Sequence, residues 1–286
     1  MRLAGPDYPA PAKLNLFLHV VGRRGDGYHL LQSAFVLIDA ADRLRFALRG
    51  DGRIVRVSEL AGVPPEQDLA VRAAQLLKAE TGTPLGADIE VEKHLPMGGG
   101  LGGGSSDAAT TLIALNRLWG AGLDRETLRN LGARLGADVP FFLFGRDAWV
   151  EGIGERLRPL VLPPAWYLVL VPPVAVPTGE IFAAPELTRD TEALKMEDFS
   201  AHVADPGQGG RFRNDLEAVV ASRYPPVREH LQWLGGHGGG RLTGSGACVF
   251  ARFEDGAAAR RVLEELPGPM TGFVARGLGE HPLRDM

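Results

Sequence analysis

Pro96-Met97-Gly98-Gly99-Gly100-Leu101-Gly102-Gly103-Gly104-Ser105-Ser106-Asp107-Ala108-Ala109 decides how the rest of the chain is read, because six of the seven residues from Gly98 to Gly104 are glycine. A strand-like segment, Ala87 to Glu92, leads into this run, and a helix-forming segment, Ala108 to Trp119, leads out of it. Glycine permits positive φ and lets a ligand approach the backbone closely. A helix start adds unpaired N–H groups and the positive end of its dipole. Strand, glycine run, serine pair and helix in this order predict an anion cradle. A flexible linker would not be bracketed so tightly by a strand and an alanine-rich helix. No lysine precedes Ser105, so this is not a Walker loop. Gly100-Leu101-Gly102 fits only the opening of a dinucleotide fingerprint, without the strand and ribose-binding acid that should follow.

The bulk numbers describe an ordinary globule around that feature. Its 286 residues suit one large domain or two of common size, with 45% hydrophobic and 23% charged residues. Glycine is the outlier, at 38 residues where about 7% is typical, and the excess concentrates in two clusters, so it reports loops rather than disorder. A net charge of -4 gives no general attraction to nucleic acid or membranes. Cys248 is the sole cysteine, which excludes an intrachain disulfide and a cysteine zinc cluster, and the seven histidines lack metal-ligand spacing. The apolar run Leu16 to Val21 is short and broken by His19, too little for a signal peptide or a membrane span. A cytoplasmic enzyme is the expectation.

Along the chain, Lys13 to Val21 alternates like a strand, with Lys13, Asn15 and Phe17 on one face and Leu14, Leu16 and Leu18 on the other. Asp26-Gly27 and Asp51-Gly52 are hairpin-turn pairs, and the second predicts pairing of Arg43–Leu48 with Arg53–Ser58. A helix should run from Asp68, as N-cap, to about Glu80 and end at Gly82. Another is expected near Asp124 to Leu135, broken by Gly136-Ala137-Asp138-Val139-Pro140. Pro163-Pro164 reads as a hinge, followed by a strand at Trp166–Val171 and helical segments to about Leu234. The second glycine cluster runs from Gly235 to Gly246, ahead of a strand at Ala247–Phe253, a helix at Ala257–Leu266 and a strand at Gly272–Gly277. Helices and strands mix without βαβ alternation, which favours an α+β fold. Met1 to Tyr8 is expected to fray.

Taken singly, the chemical residues allow two readings each. Lys13 at the head of a strand is ordinarily a solvated edge residue, and Asn15 a surface polar one. Asp138 enters an apolar run either as a turn carboxylate bonding local N–H groups or as a general base for a hydroxyl. Thr243-Gly244-Ser245-Gly246 is a tight turn, and Cys248 core packing.

Together, three segments resemble the ordered signatures of the GHMP kinase superfamily: Pro11-Ala12-Lys13-Leu14-Asn15-Leu16-Phe17-Leu18, Pro96 to Ala109, and Arg241-Leu242-Thr243-Gly244-Ser245-Gly246-Ala247-Cys248. Gly25-Asp26-Gly27-Tyr28-His29, Leu95 to Ser106 and Leu135 to Pro140 narrow the resemblance to the branch whose acceptor is a methylerythritol carrying a cytidine diphosphate group. The resemblance implies a two-domain α+β GHMP kinase fold. A ribosomal-protein-S5-like domain would occupy residues 1–162, with the ATP site, and a ferredoxin-like domain residues 163–286. It implies ATP-dependent phosphorylation of the acceptor's 2-hydroxyl in the non-mevalonate route to isoprenoid precursors, with Mg2+ accompanying the nucleotide.

Carried onto this sequence, Asp138 would take the hydroxyl proton, Lys13 would offset transition-state charge, and Asn15 would orient the polyol. Tyr28 and Phe182 would sandwich the cytosine, His29 would read its edge, and Thr178 would also contact substrate. The nucleotide would meet Lys93, Pro96, Met97, Gly98, Gly99, Gly100, Leu101, Gly102, Gly103, Gly104, Ser105 and Ser106. No protein metal site is expected from the residues, and the magnesium contacts stay open between Ser105, Ser106 or Asp107 and an ion held mostly by phosphate and water. A GHMP kinase for another small alcohol, of homoserine or mevalonate type, is the alternative, opposed by the Gly-Tyr-His segment. A non-catalytic nucleotide sensor is opposed by Lys13 and Asp138 occurring together. No basic stripe with interleaved aromatics points to nucleic acid, and oligomeric state is not legible.

Overall fold

The computed structural model describes residues 3–204 and 210–286. Its first sheet is organised by the long strand β2 (His29–Arg49). One edge of β2 carries β1 (Tyr8–Arg23), antiparallel from Tyr8 opposite Leu44 to Arg23 opposite His29. The other carries β5 (Ala148–Gly152) against residues 31–35 and β4 (Gly86–Glu92) against residues 43–49. With β3 (Ile54–Arg56) and β6 (Arg156–Pro159) the order is β3-β4-β2-β5-β6, with β1 beside β2. A second sheet has β10 (Gly272–Arg276), β7 (Trp166–Leu170), β9 (Val249–Phe253) and β8 (Arg241–Leu242) in that order.

Alternation along β2 assigns its two faces. Phe35 and Leu37 pack under α1 (Leu69–Thr81), α2 (Gly103–Leu118), α3 (Arg125–Ala133) and α4 (Val139–Phe144). Ala34, Val36 and Ile38 instead meet Tyr167, Val169 and Phe250 of the second sheet. Leu168 and Leu170 point the other way, onto α5 (Thr178–Ala183), α7 (Glu217–Arg223) and α8 (Pro225–Gly235). The result is four layers, helices–sheet–sheet–helices, with α6 (Met196–Ala204) lending Phe199 to the middle layer and α9 (Gly256–Glu264) packing on β7 and β10. Each fully buried large apolar side chain in them stabilises the fold by roughly 1.5–3 kcal/mol.

Local signals place several elements as expected. Asp68 accepts from the Ala70 N–H at 2.8 Å to start α1, which ends at left-handed Gly82, and Asp124 caps α3 through the Thr127 N–H at 2.7 Å. Other expectations fail for physical reasons. Arg43–Leu48 and Arg53–Ser58 do not pair, because β4 inserts between them, antiparallel to β2 and parallel to β3. Ala87, Ile89 and Val91 of β4 thereby join the core, and Gly86 permits the close approach: a Cβ there would lie 2.1 Å from the Arg53 carbonyl oxygen. The shared face of Lys13, Asn15 and Phe17 is broken by a bulge, since Asn15 opposes Phe35 while Phe17 opposes Ala34. Phe17 therefore joins Leu14 and Leu16, with its ring 5.3 Å from Trp149 and 5.1 Å from Phe199.

The break expected at Gly136–Pro140 is the entry to α4, with Pro140 in its first turn. Met1 and Arg2 lie outside the described residues. From Leu3 onward the amino-terminal segment is fastened rather than frayed: the Leu3 N–H bonds Glu90 at 2.6 Å, Asp7 pairs with Arg45 at 2.6 Å, and Tyr8 packs edge-on to Phe46.

Residues 276–281 fill the stretch of β2 between β5 and β4. The Arg276 N–H bonds Asp39 at 2.8 Å, Gly277 bridges Ile38, and the Leu278 N–H bonds the Leu37 carbonyl at 2.9 Å. His281 follows, its N–H on the Gly145 carbonyl and its Nδ1 accepting from the Leu283 N–H at 3.0 Å. Burial, aided by the nearby Arg125 cation, pulls the His281 imidazole down to about 3. The unfolded chain therefore binds this proton first as pH falls through the ordinary histidine range. The stability that neutral His281 contributes is lost progressively from about pH 6.5 toward pH 3. Asp147, whose carboxyl burial pushes up to about 6, has the opposite slope, stability falling as pH rises from about 4 to 6. Comparison with His281→Asn, which keeps an acceptor for the Leu283 N–H, isolates the histidine. Between pH 7 and pH 5 the wild type should lose about 2 kcal/mol more unfolding free energy than the variant in chemical denaturation.

Candidate active site

The glycine run is divided between two tasks. Gly98, Gly100 and Gly102 have φ of 69°, 77° and 72°, while Gly99 and Leu101 between them do not enter that region. Such alternation turns successive N–H groups toward one side, as a nest does. The carbonyls point to the protein: Gly98 accepts from the Ala247 N–H at 3.3 Å, Gly99 from Cys248 at 3.1 Å, and Leu101 from Lys13 at 2.9 Å. None of the N–H groups from Gly100 to Ser105 donates to a backbone carbonyl or a side chain among the described residues. Helix α2 begins at Gly103, five residues earlier than expected, so Ser105, Ser106 and Asp107 lie in its opening turns. Glycine is also needed on the docked side. A Cβ on Gly100 would sit 2.2 Å from the Thr243 carbonyl oxygen, and one on Gly99 2.6 Å from Cys248 Sγ.

The turn at 243–248 reaches strand β1 as well. Thr243 Oγ1 accepts from the Asn15 N–H at 3.1 Å. Asn15 Oδ1 accepts from Lys13 Nζ at 2.5 Å, Asn15 Nδ2 donates to Ser33 Oγ at 3.1 Å, and Ser33 in turn donates to the Phe17 carbonyl. Lys13, far from being a solvated edge residue, is 3% exposed, with its ammonium 4.7 Å from the centre of the Phe35 ring and 3.6 Å from Asp138 Oδ2. A buried ammonium requires such partners. Asp138 lies at the start of α4, but its carboxylate caps no N–H there and is about a third exposed. It is thus free of the turn role that its sequence context allows.

These groups border one cavity of about 720 Å³, within the ordinary range for a ligand site. Lys13, Asn15, Asp138, Gly100, Gly102 and Ser105 line one part. Tyr28, His29, Thr178 and Phe182 line another, beside Arg23. Tyr28 stands 61% exposed on the turn joining β1 and β2, where the Asp26 carboxylate accepts its N–H at 3.2 Å. The rings of His29 and Phe182 lie 5.0 Å apart, and Thr178 shares a hydrogen bond with Ser245 at 2.7 Å.

Lys93, Pro96, Met97, Gly98, Gly99, Leu101, Gly103, Gly104 and Ser106 are off the cavity wall. Lys93 is neither solvated nor facing the cavity. It bridges Asp42 and Asp107, 2.8 Å from the latter, and Asp42 also accepts from the N–H groups of His94 and Leu95. Burial works to lower the Lys93 ammonium, but Asp107 and Asp42 outweigh it and hold it above its ordinary value. Burial raises the Asp107 carboxyl against the pull of Lys93. The cluster thus anchors the loop and α2 from beneath. Ser33 and Thr243 complete the Lys13–Asn15 network without being expected as site residues. Thr243 had a signal in its Gly-Ser-Gly context, whereas Ser33 had none.

Free amides at a helix start suit phosphate oxygens. A lysine and carboxylate held together suit a hydroxyl that must lose its proton, and the combination defines a small-molecule kinase. The family models described as GHMP kinases N terminal domain and GHMP kinases C terminal match residues 68–146 and 193–271. A protein of Thiobacillus denitrificans named 4-diphosphocytidyl-2-C-methyl-D-erythritol kinase is 62% identical over 278 residues, covering 97% of each chain. A protein of the same name from Aromatoleum aromaticum is 60% identical, covering 97% of this chain and 95% of its own. A crystal structure of 4-(cytidine 5'-diphospho)-2C-methyl-D-erythritol kinase, 38% identical, superposes with a TM-score of 0.84 over 96% of this chain and 100% of that one. The chain belongs to this family of GHMP kinases. Among the described residues no helix is long and apolar enough to cross a membrane, and no three His, Cys, Asp or Glu side chains gather as a metal site.

The docking geometry separates two glycine substitutions. Gly98→Ala, with open space around its Cβ, should cost only the left-handed strain of about 1–2 kcal/mol. Gly100→Ala adds a backbone collision with Thr243, and should lower the melting temperature well beyond the Gly98 variant in differential scanning calorimetry.

Proposed function

We propose that the chain transfers the γ-phosphoryl group of ATP to the 2-hydroxyl of 4-diphosphocytidyl-2-C-methyl-D-erythritol, a step in the non-mevalonate route to isoprenoid precursors. The Lys13–Asp138 pair, 3.6 Å apart on the cavity wall that the glycine loop also borders, carries this reading. The names of relatives at 60–62% identity support the acceptor. ATP lies with its phosphates on the loop amides and the start of α2. The acceptor oxygen bonds to the γ-phosphorus, the γ-phosphorus to bridging-oxygen bond breaks to release ADP, and the hydroxyl proton passes to Asp138. Lys13 offsets the negative charge that develops, and Asn15 aims Lys13. The cytosine lies between Tyr28 and Phe182, with His29 at its hydrogen-bonding edge and Thr178 nearby. The cytoplasm is the compartment this substrate pair implies.

The donor set fits magnesium held mainly by phosphate and water. Ser105 offers a hydroxyl on the cavity wall, whereas the Asp107 carboxylate is engaged by Lys93. Ser105 would be the protein contact, and the ion would supply charge neutralisation at the phosphates. A sensor would need no buried lysine facing a free carboxylate, and a homoserine or mevalonate kinase would have no use for the Tyr28–His29 turn.

ADP release with magnesium-ATP should require the cytidylated acceptor and vanish with the same polyol lacking cytidine; equal turnover of both would reject the assignment. Asp138→Asn should lower kcat by about a hundredfold or more while ATP binding persists in calorimetric titration. Tyr28→Ala should raise the acceptor KM about tenfold, the loss of one stacking face, and leave the ATP KM unchanged.

A further inference from the structure

Arg189 approaches the cavity from behind, out of the segment that follows α5. Its Nε donates to His29 Nε2 at 3.1 Å, and its two terminal nitrogens donate to the carbonyls of Leu187 at 2.9 Å, Phe182 at 2.9 Å and Ala184 at 2.6 Å. His29 and Phe182 line the cavity and Arg189 does not, so whatever it does to a ligand it does through them. An arginine side chain only donates hydrogen bonds. His29 Nε2 must therefore accept, which leaves the ring proton on Nδ1. Burial, together with the cations of Arg189 and Arg23, holds His29 below the ordinary histidine value, so the ring is neutral near pH 7. The Phe182 ring packs against it, 5.0 Å away and inclined by 32°.

We infer that Arg189 is a positioning residue that locks His29 as its Nδ1–H tautomer and so makes the pocket select cytosine over uracil, an inference that rests on the proposed cytidine diphosphate acceptor. Cytosine presents an acceptor at N3, where uracil carries a hydrogen. A donor fixed at Nδ1 satisfies the first and confronts the second with another donor, leaving two polar groups unpaired. Without Arg189 the proton is free to move to Nε2, which turns Nδ1 into an acceptor suited to uracil. The same guanidinium holds the carbonyl end of α5, so the ring that stacks on the base and the ring that reads it are set by one side chain.

The test compares the cytidine acceptor with its uridine counterpart in a double-mutant cycle. Arg189→Met should raise the acceptor KM about tenfold and erode the cytidine preference about tenfold, with kcat and the ATP KM within about twofold. Arg189→Lys, which also only donates, should restore part of the preference. His29→Asn supplies a donor that has no tautomer, and in that background Arg189→Met should change the preference by less than about twofold. An equal effect in both backgrounds would make Arg189 only a support for α5 and overturn the inference. Nitrogen-15 spectra of the ligand-free protein read the lock without any substrate. The wild-type His29 ring should carry its proton on Nδ1, and Arg189→Met should yield a tautomer mixture; a wild-type ring protonated at Nε2 overturns the lock. Absence of wild-type turnover with the cytidylated acceptor would overturn the proposed function and the base selection with it, while the tautomer signature stands or falls separately.

Discussion

The cavity depends on one contact, the seating of the glycine loop on the turn at 243–248. A loop that offers its amides to a ligand must satisfy its carbonyls elsewhere. Here they are taken by Ala247, Cys248 and Lys13, from segments far away in sequence. The contact is backbone against backbone, with no room for a side chain at Gly99 or Gly100. The glycine content that looks like flexibility in the sequence is therefore a condition for tight packing. Because the Lys13 N–H is part of the same contact, the loop and strand β1 share one fixed spacing.

Charge placement follows from that spacing. Lys13 is buried by the loop, by Phe35 and by β2, and Asn15 and Asp138 are the polar groups that make the burial tolerable. A second lysine, the partly buried Lys93, sits below the loop between two carboxylates and never meets the cavity. The two lysines thus differ in their partners. The first has a partner that is a third exposed and open to the cavity, whereas the second has partners that are themselves sealed.

Sequence patterns revealed what is local. Asp68, Gly82 and Asp124 mark helix ends because a cap is a contact between residues a few positions apart. Asp26-Gly27 marked its turn for the same reason. The glycine-serine run was legible as an anion cradle from its own residues, and the Lys13 segment as a candidate site piece only through family resemblance, but not how they meet. What stayed hidden is non-local. The insertion of β4 beside β3 depends on which strand buries more apolar surface, and the bulge that rotates Phe17 depends on its partner strand. Arg189 lies 160 residues from His29, in a segment whose composition carries no motif.

The closure of β2 by residues 276–281 bears on how the protein is made. When β2 leaves the ribosome β1 is already made, and β4 and β5 follow within about a hundred residues, yet Ile38 waits for Gly277. At the usual rate of synthesis that delay is on the order of tens of seconds. Throughout it, a gap of unpaired backbone stands open in the middle of the first sheet, and such an edge is a template for wrong partners. Translation speed across the second half of the message therefore sets how long each new molecule is vulnerable.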